Sequence, residues 1–230
     1  MKRTLLLIIL VGLSLMGCSK TEQNPFFSEY DTPFQTPPFD KIKEAHYLPA
    51  FQKGIEQHNQ QIQTIINNSE SPTFPNTIEA LEESGQLLTK VNDVFVNMRS
   101  ANTSENLQKI AKEVSPLLSK HWDDILLNKD LFRRVKAVYD QKDQLDLDTE
   151  QNALLEKTYK EFVRGGANLD DAKMAELREI NKELSLLSLK FGENVLRENN
   201  SFAMVIDNEA DLAGLPEGVV SAASEAAAEK

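Results

Sequence analysis

The sequence predicts an all-α protein, an array or bundle of about six long amphipathic antiparallel helices with one orphan strand near residues 201–207. Three observations carry that prediction. From Asp40 onward apolar residues return every three or four positions, the period of one helix face. Helix-capping residues stand before most of these runs, and glycine or proline punctuation follows several of them. The connections between runs are short, as neighbours in a bundle require. No fixed-period sequence repeat is visible, which argues against a solenoid.

Lys2 and Arg3 precede an uncharged apolar stretch from Leu5 to Met16. A spanning helix takes roughly 20 apolar residues, so this stretch is too short. A basic start, a short apolar segment and a small residue before a cut describe a secretory signal. The cut, Leu15-Met16-Gly17-Cys18, resembles a bacterial lipobox. Residues 1–17 are therefore read as a lipoprotein signal peptide, and Cys18, the only cysteine, as the lipidation site. Two or more acyl chains give stable membrane attachment. An ordinary signal peptide beside a stray cysteine is the plainer alternative. Ser19, with no aspartate after the cysteine, resembles lipoproteins sent on to the outer membrane. The expected location is the bacterial cell envelope, lipid-anchored at the outer membrane and facing the periplasm.

Residues 18–39 read as a lipidated tether and then an extended lead-in. Four prolines hold "PFFSEYDTPFQTPPF" extended, and Phe26, Phe27, Phe34 and Phe39 are expected to lie along the folded body. An aromatic-lined binding strip is the functional alternative.

Residues 40–200 form the helical domain of this reading. Pro49 suits a first helical turn, and Phe51, Ile55, Ile62 and Ile65 then share a face. After "SESPTFP", Asn76 with Glu79 suggests a capping box opening a helix with Ile78, Leu81, Leu88, Val91, Phe95 and Met98 inward. Thr103 or Ser104 caps the next, striped by Leu107, Ile110, Val114, Leu117, His121 and Ile125. Asn128 and Asp130 start another, with Leu131, Val135 and Val138 inward. Asp148 or Thr149 opens a fifth through Leu154, Leu155, Thr158 and Phe162, stopped by Gly165-Gly166. The longest begins near Asp170 with Leu177, Ile180, Leu184, Leu187, Phe191 and Val195 on one stripe. After it "SFAMVID" (201–207) has strand composition, and a helix starts at Pro216 and runs to Lys230 without a stop signal.

Chemistry is sparse. With Cys18 committed to lipid, no thiol remains for a disulfide, a zinc-thiolate site or a nucleophile. Loss of Lys2 and Arg3 leaves 23 of 25 basic residues against 36 acidic ones, a formal charge of −13 with no basic stripe, which excludes nucleic acid as a partner. His46, His58 and His121 include no pair at i, i+4, and only His121 has a helical carboxylate neighbour, Asp124. A buried or half-buried structural histidine is the expected reading of that pair, ahead of a metal ligand. Glu82-Glu83, Asp123-Asp124 and Asp170-Asp171 point about 100° apart on a helix, so they read as solvated faces or helix-start charges. No H-E-x-x-H, G-x-S-x-G or phosphate loop is present.

Several blocks carry a resemblance: "NPFF…TPPFDKIKEAHYLPAFQKGIEQHNQQI", "FPNTIEALEESGQLLTKVNDVFVNM", "ANTSENLQKIAKEVSPLLSKHWDDILLNKDLFRRVKAVY", "FVRGGANL" and "LSLLSLKFGENVLRENNSFAMVIDNEADLAGLPEG". Together they span residues 24–230 and resemble the peptidyl-dipeptidases of the thimet-oligopeptidase-like family of zinc metallopeptidases. The resemblance implies a mostly α-helical, channelled enzyme that admits short peptides and releases C-terminal dipeptides with a zinc-activated water. It also implies that H-E-x-x-H and a downstream glutamate hold the zinc, and none of these has a counterpart here. The match covers the first third of such a protein, with residues 201–230 as the start of the catalytic region. No catalytic residue and no metal ligand is therefore assigned in this chain, and no zinc is expected in it.

Two functions follow as expectations. One is the N-terminal channel-wall portion of a lipid-anchored peptidyl-dipeptidase, truncated and inactive alone, with short peptides as the family's substrates and the membrane reached through the lipid. The other is a free-standing helical lipoprotein that binds peptides or a partner without catalysis.

Overall fold

The computed structural model describes residues 23–228, so the assigned signal peptide and Cys18 lie outside the described residues. Seven longer helices follow in order: α1 (Tyr47–Ile66), α2 (Gln86–Ala101), α3 (Glu105–Leu126), α4 (Lys129–Tyr139), α5 (Thr149–Arg164), α6 (Asp171–Ser201) and α7 (Glu217–Ala228). Residues up to Leu189 form one compact unit and residues from Lys190 a second, the division falling inside α6.

The starts of three helices are set by the residues that sequence assigns to them. Ser104 Oγ accepts from the Leu107 N–H at 3.0 Å, and Asn128 Oδ1 accepts from the N–H groups of Asp130 and Leu131. Asp148 and Gln151 close a reciprocal capping box at α5. Each such cap satisfies a donor the helix leaves orphaned, contributing about 1 kcal/mol.

The helix expected from Asn76 is built differently. Thr73 is its cap and Asn76 the third residue of the box, three positions earlier than the Asn76–Glu79 expectation. The chain then makes a π-helical turn over Phe74–Glu79 and a short α turn over Ala80–Glu82 before α2 begins. Gly85 interrupts the run with φ +73°, a left-handed conformation that a Cβ disfavours. Arg134 of α4 braces this entry: its guanidinium donates to the carbonyls of Asn68 and Glu70 and to Asn76 Oδ1.

The first unit has two hydrophobic clusters. One joins Phe26, Tyr47, Phe51, Leu88, Phe95 and Val114, with Phe51 and Phe95 in edge-to-face contact at 5.3 Å between ring centres. The other joins Ile62, Phe74, Ile78, Leu131, Val135 and Phe162. Gly54 permits the close approach of α1 to α2, since a Cβ there would stand 2.9 Å from Leu88 Cα. Helices α1 and α3 each contribute to both clusters.

The lead-in packs through fewer aromatics than its composition suggests. Phe26 is buried, but Phe27 and Phe39 are half exposed and Phe34 wholly so, with Pro38 buried instead. Asn24 Nδ2 donates to the His46 carbonyl, and Lys90 Nζ donates to the Ser28 carbonyl while lying 3.8 Å from the Tyr30 ring centre. Buried Phe26 and these polar ties together hold the lead-in, in place of a stripe of four phenylalanines.

Helix α6 departs furthest from expectation. Its side packed in the first unit runs Met174, Arg178, Asn181, Ser185 and Leu189, while Leu184 is 53% and Leu187 58% exposed. Asn181 Nδ2 donates to Asp123 Oδ1 at 2.6 Å, Arg178 to Asp124 Oδ1 at 2.7 Å, and Ser115 Oγ to the Ser185 carbonyl at 3.3 Å. The apolar stripe is displaced from this packed side by roughly a third of a turn. The helix thus docks by a mixed side, on which Met174 is buried and Leu177 and Leu189 are half-buried beside the polar contacts.

The second unit contains the end of α6, α7 and the segment between them. The strand expected at 201–207 does not form: no strand occurs among the described residues, and 202–208 run as irregular chain. Phe202, Met204 and Val205 are strongly exposed. A strand needs a neighbour to pair with its backbone, and none of the described residues supplies one. The helix read from Pro216 is present as α7, whose N–H groups of Val219 and Val220 donate to the Pro216 carbonyl.

Candidate functional site

The residues with most chemistry meet at the seam between the two hydrophobic clusters. On α1, His58 falls between Phe51 and Ile62; on α3, His121 falls between Val114 and Ile125. Helical spacing therefore puts each histidine on an inward face. The two rings meet with His121 Nε2 3.0 Å from His58 Nδ1, and only 4% of His58 and 2% of His121 is exposed. His58 Nε2 lies 2.9 Å from Ser84 Oγ, which donates to the Leu81 carbonyl at 2.6 Å. One turn along α1 from His58, Gln61 Oε1 accepts the Gly85 N–H at 2.8 Å. A Cβ at Gly85 would stand 2.7 Å from the His58 ring, so the turn needs glycine for space as well as for conformation.

These contacts determine where the protons are. The Ser84 hydroxyl hydrogen points to Leu81, so Ser84 Oγ accepts from a protonated His58 Nε2. Neutral His58 then has a bare Nδ1, which accepts from His121 Nε2–H. Neutral His121 is left with a bare Nδ1, buried and without a partner among the described residues. Burial pushes both histidines below their ordinary pKa, His58 to about 4 with the nearby His121 adding to the shift. For His121, Asp124 pulls the other way and Lys120 adds to the lowering.

A pocket of about 590 Å³ opens beside this relay, lined by His58, Ser84, Lys90, Asp93, Trp122 and Glu161 among others. The relay is not wired for nucleophilic catalysis. His58 donates to Ser84 and so cannot take its proton, and the Gly85 N–H that could stabilise an oxyanion is taken by Gln61. It does not fit a zinc ion either. Both ring nitrogens of His58 are engaged, and among the described residues no group of three or more His, Cys, Asp or Glu could hold a metal.

Of the residues singled out from sequence, His121 is buried, and it meets His58, which lies 63 residues away. His46 stands apart, its Nδ1 accepting from the Lys43 N–H. Asp123-Asp124 are no solvated pair: Asp123 is buried with its pKa pushed up by that burial, against the opposing hydrogen bond from Asn181, and Asp124 binds Arg178 and Lys120. Asp170 is a helix-start charge, accepting from the Lys173 N–H, while Glu82 and Glu83 are exposed. A signal for the His pair did exist in the sequence, as two apolar stripes each interrupted by one histidine. Cys18 lies outside the described residues, and no helix among them is long and apolar enough to cross a membrane.

No family model matches the chain. Comparison with curated proteins finds 40% identity over 210 residues to a dipeptidyl carboxypeptidase of Escherichia coli (strain K12), covering 91% of this chain and 31% of that protein. The chain belongs to the thimet-oligopeptidase family. A dipeptidyl carboxypeptidase of Salmonella typhimurium is 38% identical over 207 residues, 90% of this chain and 30% of that protein. An oligopeptidase A of Escherichia coli is 26% identical over 192 residues, 84% of this chain and 28% of that protein. The chain thus spans about a third of the length of the relatives it matches, as an N-terminal portion of this family.

Proposed function

We propose that this chain forms the N-terminal, channel-wall portion of a peptidase that releases dipeptides from the C-terminus of oligopeptides and is held at the bacterial outer membrane by lipid on Cys18. The match to dipeptidyl carboxypeptidases over nine-tenths of the chain carries the peptidase reading, and the lipobox-like Leu15-Met16-Gly17-Cys18 carries the anchor. The outward stripe of α6 supports it, because Ile180, Leu184 and Leu187 offer an apolar surface suited to further protein. In this reading the zinc ligands and the general base come from sequence outside these 230 residues.

Two measurements test the proposal. The 230-residue chain alone should release no dipeptide from an N-terminally blocked peptide, and activity with stoichiometric zinc should appear when the remaining two-thirds of a family member is supplied. Chelator-sensitive release by the chain alone overturns it, as does peptide binding without hydrolysis in both settings, which belongs to the free-standing lipoprotein. For the anchor, Cys18→Ser should free the protein from membranes or leave its signal uncleaved. Unchanged partitioning with normal processing overturns the lipid assignment.

A further inference from the structure

We propose that the His58–His121 pair is a pH-sensitive latch, which ties α1, α3 and the Ser84–Gly85 turn together while neutral and releases them when it takes up a proton. The hydrogen-bond order leaves one place for that proton. Ser84 Oγ, both nitrogens of His58 and Nε2 of His121 are already committed, so the bare Nδ1 of His121 is the point of entry. The relay bonds survive the first proton. It nevertheless creates a cation at a ring that is almost wholly buried, and an N–H with no acceptor. Opening the seam to water answers both.

The charged surroundings do little to offset this. On α3, Asp124 attracts a cation at His121, but its carboxylate is already bound by Lys120 and by Arg178 of α6. Asp123, buried beside it in sequence, faces Asn181. From α1 the neighbour is His58 itself. On the pocket side of His58 stand Glu82, Lys90 and Asp93 around the turn and α2, and Glu161 on α5. Among these, Lys90 is tied to the lead-in carbonyls. A second proton would place two cations with ring nitrogens 3.0 Å apart, so the histidines titrate as a pair rather than as two separate groups.

The latch is placed to matter. α1 and α3 each run from one hydrophobic cluster to the other, and the pair joins them at the crossing between clusters. Trp122, the only tryptophan, stands edge-on to both rings at 5.7 Å from His58 and 5.4 Å from His121, so its emission reports their state. It is itself half exposed and lines the pocket, so it also senses water entering the seam.

The test is a pH titration of the full chain, following the histidine ring protons by NMR and Trp122 by fluorescence. The expected result is two histidines that stay neutral to well below 6.5 and then titrate together with the Trp122 change. In His121→Gln the amide can still donate to His58 but cannot accept the proton, so the Trp122 transition should move down by about one pH unit or more. The proposal is overturned if wild type and variant share one Trp122 midpoint. It is equally overturned if both buried histidines titrate near 6.5 without a tryptophan response. Should His121→Gln fail to fold, the wild-type NMR titration decides alone.

Discussion

Helices α3 and α6 carry apolar stripes of equal regularity, spaced by threes and fours, yet the structure treats them in opposite ways. In α3, Leu107, Ile110, Val114 and Ile125 are buried; in α6, Ile180, Leu184 and Leu187 stand in solvent while Arg178, Asn181 and Ser185 make hydrogen bonds beside buried Met174 and half-buried Leu177 and Leu189. Fully burying such an aliphatic side chain is worth about 1.5–3 kcal/mol, which α3 gains several times over and α6 forgoes at these positions. Periodicity therefore says that a helix has an apolar face. It does not say that the face has found a partner.

The largest expected effect tests that contrast directly. Val114→Asp buries a charge without a partner and should cost more than about 4 kcal/mol or prevent folding, read by urea denaturation. Leu187→Asp should stay within about 0.5 kcal/mol of the parent. Equal losses at the two positions would break the comparison, because α6 would then be packed in solution.

Arg134→Met comes next. The guanidinium is the donor for two loop carbonyls and for Asn76, so its removal should cost about 2–4 kcal/mol, measured by thermal or urea unfolding. A loss near zero would mean that the Thr73 cap alone fixes the entry into the π-helical turn.

The pH dependence of stability is the third. The folded pKa of His58 lies at about 4, below its unfolded value near 6.5, so between these values the unfolded chain binds more protons. The contribution of the neutral pair is thus complete above 6.5 and is lost as pH falls toward 4, by roughly 1–3 kcal/mol. Urea midpoints of wild type and His121→Gln should lie close together at neutral pH and separate toward pH 4, with the variant losing less; a gap that does not change with pH would show that the histidines do not carry the effect.

The smallest effect should come from Arg178→Ala. The ion pair with Asp124 is partly exposed, so its loss should cost about 0.5 kcal/mol and be masked by salt. A salt-independent loss several times larger would show that α6 is held mainly by this contact.

Much of the fold was legible because its causes are local. Ser104, Asn128 and Asp148 cap helices for reasons contained within three or four residues, and Gly165-Gly166 stops α5 in the same way. The entry at Thr73 was less legible, since a π-helical turn braced by Arg134 depends on a residue 58 positions beyond Asn76. In the candidate site each histidine could be placed on an inward face, but their meeting spans 63 residues and no spacing rule reaches that far.

The sequence by itself determined the all-α class, the helix boundaries set by caps and glycines, and the kinship to the thimet-oligopeptidase family. These depend on short-range hydrogen bonding, backbone sterics and residue order, all of which travel with the chain. Tertiary structure alone decided that His58 and His121 share a proton relay, that Asp123 is buried, and that Arg178 and Asn181 of α6 bind the Asp124 and Asp123 carboxylates. The strand expected at 201–207 failed for the same reason. Pairing, burial and relay formation each need a second surface, and its supply depends on where distant segments come to rest.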